Sequence, residues 1–268
     1  MRNGRNAERN RCGCEAGQPC HLVTLSPCHL VTLSLLFAGC DLPGRPKPAD
    51  RPVPSNQVLD FDTLYTTRCA GCHGADGRLG PAPPLNDPLF LAIVPDAELL
   101  RVITEGRSVR PGQKTPMPAF TEDRSGPLTV VQVKVLAEGI KQRWGPPASP
   151  SRALPAYLGP TGAGGGNKEE GARVFVHACA GCHGAHGRGE KDSKPLPGGA
   201  INNQAFLALT SDQALRRIII TGRPDLGMPA YDGKAGRPSD FRALASAEID
   251  DLVALLRSWR QDEVSNKP

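Results

Sequence analysis

The chain has 268 residues and a formal net charge of +5, a length that suits one or two domains. Glycine and proline number 30 and 27, so turns are frequent, and aromatic residues make up only 4%. No basic cluster with interleaved aromatic side chains is present, and this excludes a nucleic-acid-binding surface as a partner site.

The N-terminal segment is typical of export. Four arginines precede an apolar run that is too interrupted by Ser, Thr, Pro and His to predict a membrane-spanning helix. The run ends at Phe37-Ala38-Gly39-Cys40, which resembles a bacterial lipobox. We therefore predict a signal peptide over 1–39, a lipid-acylated Cys40 and a Pro-rich tether over 40–56. An ordinary cleaved signal and an uncleaved anchor remain the alternatives.

Two copies of the motif Cys-Ala-Gly-Cys-His occur, at 69–73 and 179–183. A Cys-x-x-Cys pair alone fits a redox dithiol or half of a zinc site. A zinc site usually needs a second pair within about 20 residues, and a dithiol gives no role to the histidine. Covalent attachment of a c-type heme uses all three side chains, with the histidine as an iron ligand. The predicted attachment and ligand residues are Cys69, Cys72, His73, Cys179, Cys182 and His183.

The segments after the two motifs also repeat. Residues 96–107 match 212–223, and both have the apolar spacing of an amphipathic helix. We expect Asp96 and Asp212 to cap these helices at their N-termini and Gly106 and Gly222 to end them. Each copy then closes with a second amphipathic helix. The predicted caps of these closing helices are a Thr129–Gln132 capping box and Ser246.

A methionine lies at a matching place in each copy. Met117 is 44 residues after His73, and Met228 is 45 residues after His183, each within Met-Pro-Ala. Core packing is the plain alternative for a methionine. The nearly equal spacings instead favour Met117 and Met228 as the sixth ligands of two heme irons.

These motifs together resemble class I c-type cytochromes, and the whole chain resembles diheme cytochromes of bacterial respiratory chains. The resemblance implies a mainly α fold of two tandem cytochrome c domains, each a small helical bundle around one heme, preceded by the signal/lipoprotein segment. The expected boundaries are 57–144 and 167–261 for the domains, 145–166 for a Gly/Pro linker and 262–268 for a tail.

The resemblance also implies supporting residues. Carbonyls of Pro84 and Pro195 should accept the N–H of the heme histidines. A glycine of the first helix should pack against an aromatic residue of the last helix. In the second copy Gly171, with Phe175 four residues later and Trp259 as the partner, fits this pattern. In the first copy Phe61 takes the glycine's place and should widen or shift the crossing. Arg107 and Arg223 are candidates for heme-propionate contacts, with simple exposed charges as the alternative.

The implied function is transfer of single electrons by two covalent His/Met-ligated hemes, on the periplasmic side of a bacterial membrane. A quinol-oxidising complex, a terminal oxidase or a periplasmic dehydrogenase would be the redox partner, and lipid would supply the membrane contact. Carrier activity is favoured over catalysis because neither iron has an open position, so no catalytic residue is assigned. A diheme peroxidase or sulfur-compound dehydrogenase, and a fixed subunit of a larger complex, are the alternatives.

Overall fold

The chain divides into residues Met1–Pro52 and a compact unit, Val53–Pro268. The computed structural model describes residue 47 and residues 51–80, 82–107, 117–147, 153–160 and 165–265, with side chains to residue 260. The predicted signal peptide and Cys40 lie outside the described residues. Within the described ranges, no helix has the length and apolar character needed to cross a bilayer.

Both repeats are helical and follow the same order. In the first repeat the helices are α1 (Phe61–Arg68), α2 (Ala70–His73), α3 (Pro88–Ile93), α4 (Asp96–Glu105) and α5 (Val130–Trp144). In the second they are α6 (Lys168–Ala178), α7 (Ala180–His183), α8 (Gln204–Leu209), α9 (Asp212–Thr221) and α10 (Ser246–Ser265). A short antiparallel hairpin, β1 (Glu190–Lys191) with β2 (Lys194–Pro195), lies between α7 and α8. The predicted mainly α fold with two repeats in tandem is confirmed.

Each repeat has its own apolar core. In the first repeat α5 packs on α1 and α4, with Val133 and Leu136 fully buried at its centre. In the second repeat α10 packs on α6, α8 and α9 around Ile249 and Leu252. The closing helix is therefore the element that holds each repeat together, because its apolar stripe contacts the other helices.

The helix ends agree only in part with the sequence predictions. The Thr129–Gln132 capping box of α5 is present, and Gly106 and Gly222 end α4 and α9 with φ of 76° and 69°. A residue with a Cβ is strained at such angles, so glycine is the suitable residue at both helix ends.

The predicted caps of the other helices were wrong. Asp96 and Asp212 are the first helical residues, preceded by Pro95 and by Ser211, whose side chain is the actual cap of α9. The Asp212 carboxylate instead bonds to two arginines of α10. The hydroxyl of Ser246 accepts the backbone N–H of Ala156. Acidic residues in a first turn still favour the helix through its dipole, without capping it.

The helices α1 and α5 of the first repeat make much less close backbone contact than α6 and α10 of the second, as expected for a wider or shifted crossing. In the second repeat Gly171 of α6 lies against α10, where an added Cβ would come 2.1 Å from the Asp251 carbonyl oxygen. In the first repeat the glycine is Gly139 of the closing helix α5, and the ring of Phe61 in α1 fills the space beside it. Each crossing therefore has one glycine, on the closing helix in the first repeat and on the opening helix in the second.

Candidate heme sites

The two Cys-x-x-Cys-His motifs adopt the same local structure. Each begins where a helix stops: the backbone N–H of Cys69 bonds to Tyr65, and that of Cys179 bonds to Phe175. One turn of helix follows, α2 or α7, and places the second cysteine and the histidine directly after the first cysteine. The four cysteines form no disulfide with one another. Both thiols and the imidazole of each motif therefore lie on one compact turn.

Aromatic rings support this turn from the closing helix. Tyr65 and Trp144 meet edge to face with ring centroids 5.0 Å apart, and Phe175 and Trp259 do the same at 5.2 Å. The Tyr65 hydroxyl also donates to the carbonyl of Gly74, just after the first motif. Edge-to-face pairs of this kind add stability beyond the area they bury.

The histidines are held by backbone carbonyls, as expected, but not by those predicted. His73 Nδ1 lies 3.0 Å from the Pro83 oxygen, and His183 Nδ1 lies 3.0 Å from the Gly199 oxygen. Since a carbonyl only accepts, Nδ1 carries the proton in both rings and Nε2 keeps its lone pair for a metal. The predicted Pro84 and Pro195 do not make these bonds.

In the first repeat the acceptor lies one residue before the predicted Pro84, and in the second repeat an insertion explains why Pro195 is not the acceptor. The Gly77 carbonyl accepts the N–H groups of Leu85 and Asn86, and the Gly187 carbonyl accepts those of Ile201 and Asn202. Leu85 therefore corresponds to Ile201, and the hairpin β1–β2 makes the second loop longer. Pro195 belongs to that hairpin. The match of Leu85-Asn86 to Ile201-Asn202 in the sequence was the signal that could have revealed the register.

The two methionines occupy matching positions. The backbone N–H of Arg107 bonds to the Met117 carbonyl at 2.8 Å, and that of Arg223 bonds to the Met228 carbonyl at 2.9 Å. Each pair forms an isolated antiparallel bridge directly after α4 or α9. Both methionine side chains are half-buried, and Met117 packs against the first core. The spacing in the sequence thus corresponds to a shared backbone position.

Burial sets the charge states of the first site. Burial lowers the pKa of His73; the bond to Pro83 acts in the opposite direction, and the positive charge of Arg217 adds to the lowering. A neutral imidazole is the form that binds a metal. Burial also raises the pKa of Cys69 and of Cys179 to about 12, so both thiols remain protonated at neutral pH.

The predicted propionate residues already have partners in the protein. Arg107 Nη2 donates to the hydroxyl of Tyr157 at 3.1 Å and lies 3.9 Å from a Glu98 oxygen. Arg223 makes two bonds to Asp225, at 2.9 and 2.6 Å. Their contact with a propionate stays a prediction.

One feature of the second site was missed by sequence reasoning. Arg237 lies in a long loop before α10 and donates to the carbonyls of Ala178, Ala230 and Gly233. The next residue back, Gly236, is so close to the second motif that an added Cβ would be 2.7 Å from Cys182 Sγ. This loop therefore covers one side of the second motif. The corresponding segment of the first repeat is shorter.

The residues present fit a c-type heme in each repeat. Each site supplies two thiols and an imidazole on one turn, a proton on Nδ1 that leaves Nε2 as the ligand atom, and a thioether at the matching bridge. A thioether and an imidazole are ligands that iron accepts in such sites.

Comparison with known proteins gives a family match on each repeat. The family model described as "Cytochrome C oxidase, cbb3-type, subunit III" matches residues 56–132 and again 166–246. The cbb3-type cytochrome c oxidase subunit FixP of Bradyrhizobium diazoefficiens is 27% identical over 189 residues, which cover 68% of this chain. The aligned region spans 57% of the length of that relative.

Among solved structures, a chain of the reducing HAO-like protein complex of Kuenenia stuttgartiensis is similar at 19% identity and a TM-score of 0.41. The similarity covers 78% of this chain and 99% of that chain.

The family match falls once on each repeat, and the two matched ranges together cover more than half of the chain, including both Cys-x-x-Cys-His motifs. This chain therefore belongs to the family of cbb3-type cytochrome c oxidase subunit III, a family of c-type cytochromes.

Proposed function

We propose that this chain binds two hemes, one in each repeat, and transfers single electrons as a subunit of an oxidase complex. The observation that carries the proposal is that both repeats keep the complete donor set on the same backbone positions. The resemblance to FixP, named as a subunit of a cbb3-type oxidase, supports the choice of complex. When bound, the heme iron supplies a one-electron couple between Fe(II) and Fe(III).

The protein's own residues adapt each site to electron transfer. Cys69 with Cys72, and Cys179 with Cys182, would hold the group covalently, while His73 and His183 keep a fixed ring orientation through Nδ1. Met117 and Met228 would close the remaining iron position and exclude substrates. A thioether favours Fe(II), so the methionines would raise the reduction potentials.

Heme counting tests the stoichiometry. Full-length protein matured in a compartment with heme-attachment machinery should carry two covalent hemes, measured by intact mass and by the pyridine hemochrome spectrum. Double variants Cys69→Ala/Cys72→Ala and Cys179→Ala/Cys182→Ala should each lose one heme. A parent protein with a single heme would overturn the proposal.

Ligand binding separates the electron carrier from a diheme peroxidase or dehydrogenase. The reduced parent should bind carbon monoxide poorly, and Met228→Ala should create rapid binding at one iron. Leu226→Ala is the matched control, because Leu226 lies in the same loop but is 71% exposed. Rapid binding of cyanide or peroxide by the oxidised parent would favour the catalytic alternative.

We propose further that the protein is exported and that lipid on Cys40 holds it at the periplasmic face of a membrane. The lipobox-like sequence and the Pro-rich tether after it support this. Cys40→Ser should move the protein from the membrane fraction to the soluble fraction, read by immunoblot after cell fractionation. A variant that stays with the membrane without detergent would rule out lipid as the sole anchor. Co-purification from detergent extracts then distinguishes a fixed oxidase subunit from a diffusing carrier.

A further inference from the structure

One arginine of the second repeat reaches into the first. Arg217 lies on α9 and is 7% exposed, yet its guanidinium contacts residues of the first repeat. Its carbon Cζ lies 3.5 Å from the centroid of the Phe90 ring, and Nη2 donates a hydrogen bond to the carbonyl oxygen of Pro84. A cation stacked on an aromatic face away from water is a favourable contact.

Comparison of the two repeats explains why the Arg217 side chain extends away from its own repeat. Its counterpart on α4 is Arg101, which is 50% exposed and bonds to Glu98 and Glu105 on the same helix. The positions that correspond to these two acids are Ala214 and Thr221 in α9. Within the described part of the chain, Arg217 therefore has no carboxylate in ion-pair contact, and it bonds across the repeat boundary instead.

A segment between the repeats reinforces the same contact. Tyr157 is buried against Phe90, with ring centroids 5.8 Å apart, and its carbonyl accepts a hydrogen bond from Gln213 of α9 at 2.7 Å. Phe90 is thus held between Tyr157 and Arg217. Because Arg217 and Tyr157 pack on the same Phe90 ring, the position of the Arg217 side chain is well fixed.

The contact lies beside the first heme motif. Pro84 follows Pro83, whose carbonyl holds His73 Nδ1. The Arg217 guanidinium and the His73 ring therefore bond to the carbonyls of two adjacent residues, Pro84 and Pro83. Burial lowers the pKa of Arg217 itself to about 10, so the guanidinium remains charged at neutral pH.

We propose that Arg217 of the second repeat is a positioning residue for the first heme: it docks the repeats on Pro84 and holds a positive charge beside the group that ligates the first iron. The inference rests on the proposed two-heme function. A nearby fixed positive charge disfavours Fe(III) relative to Fe(II), so Arg217 raises the potential of the first heme. Because the charge is buried, salt screens it weakly.

Redox titration of the full two-heme protein tests this role. Arg217→Met keeps most of the side-chain length but removes the charge, and should shift the first midpoint potential downward while leaving the second nearly unchanged. Arg217→Lys keeps the charge, so its first midpoint potential should stay close to that of the parent. Met117→His and Met228→His, which each lower one potential, assign the two waves to their hemes.

Two further variants control the experiment. Arg101→Met removes the equivalent arginine of the first repeat, which is exposed and already neutralised, and should leave both potentials in place. Ala214→Glu recreates the acid that binds Arg101, so it should draw Arg217 away from Pro84 and lower the first potential without deleting any contact residue. This second route applies even if Arg217→Met folds poorly.

The outcomes separate the two proposals. A parent protein with fewer than two hemes overturns both. If the parent has two hemes and neither Arg217→Met nor Ala214→Glu changes the first midpoint potential, only the proposed role of Arg217 is overturned. A downward shift in Arg217→Met that lysine does not restore would assign the effect to packing rather than charge, and would also overturn it.

Discussion

Phe61 lies so close to Gly139 that a Cβ added at residue 139 would come within 2.2 Å of the phenylalanine ring. The equivalent crossing in the second repeat brings Gly171 against the backbone of α10 rather than against a side chain. A side chain can rotate away from an added methyl group, whereas a helix backbone must shift as a whole. The two glycines therefore differ in how costly their replacement should be.

Replacing these glycines with alanine should destabilise both repeats, but unequally. Gly139→Ala should lower the free energy of unfolding by about 1–3 kcal/mol, the usual cost of overpacking. Gly171→Ala should cost more, because the atom it meets is the Asp251 carbonyl oxygen. Chemical denaturation of each variant measures both effects.

A double-mutant cycle identifies the cause in the first repeat. Phe61→Leu should relieve the clash, so Gly139→Ala should cost less in that background than in the parent. Equal costs in the two backgrounds would show that the Phe61 ring is not what the added methyl group meets.

The capping box of α5 gives a second prediction. Thr129→Ala removes the oxygen that accepts the Gln132 N–H and should cost about 1 kcal/mol of stability. Ser246→Ala is the comparison: its hydroxyl binds Ala156 rather than the N-terminus of α10. We expect a smaller loss there, measured by thermal unfolding, and an equal or larger loss would contradict the structure.

The buried thiols predict an alkaline instability of the protein before heme attachment. Burial in the folded state raises the pKa of Cys69 and Cys179 to about 12. At pH values between the ordinary thiol pKa and about 12, the folded chain therefore binds more protons than the unfolded chain. Stability should therefore fall as pH rises through this window. Cys69→Ala/Cys179→Ala should show a weaker pH dependence in denaturant titrations of heme-free protein.

Tyr157 gives a prediction about the segment between the repeats, which is buried where the sequence indicated a plain linker. Tyr157→Phe removes the bond from Arg107 and should cost about 0.5–1.5 kcal/mol. Tyr157→Ala also removes the ring from Phe90 and should cost about 3–5 kcal/mol, as large core truncations do. A similar, small cost for both variants would indicate that the segment is a tether without a packing role.

The sequence predicted the elements that depend on local pattern. Apolar spacing indicated α4, α5, α9 and α10, and the repeated motif indicated the turn that carries the heme residues. Caps were less predictable: Asp96 and Ser246 are good capping residues, but Asp96 pairs with Lys141 of α5 and the Ser246 hydroxyl accepts the N–H of Ala156. Local preference names candidates for a cap, and tertiary contacts decide between them.

The candidate sites were predicted where the residues themselves carry the chemistry. The cysteines, histidines and methionines proposed to hold heme have recognisable side chains at repeated spacings. The carbonyls of Pro83 and Gly199 do not, since every residue has a carbonyl and only backbone conformation selects one. Arg217 was also beyond prediction: it occupies the same place in its repeat as Arg101, the two nearby acids are absent, and its partner Pro84 is distant in the chain.

The contact between Arg217 and Pro84 has a consequence for how the two copies arose. Duplication of one unit gives two interchangeable halves at first, and each half carries the same arginine. The copy that has the two acids keeps the arginine on its own helix, and the copy that lacks them directs the arginine to the neighbouring half. From that point the order of the halves matters. A chimera with two first halves would keep this arginine paired with acids on its own helix, and the contact on Pro84 would be missing.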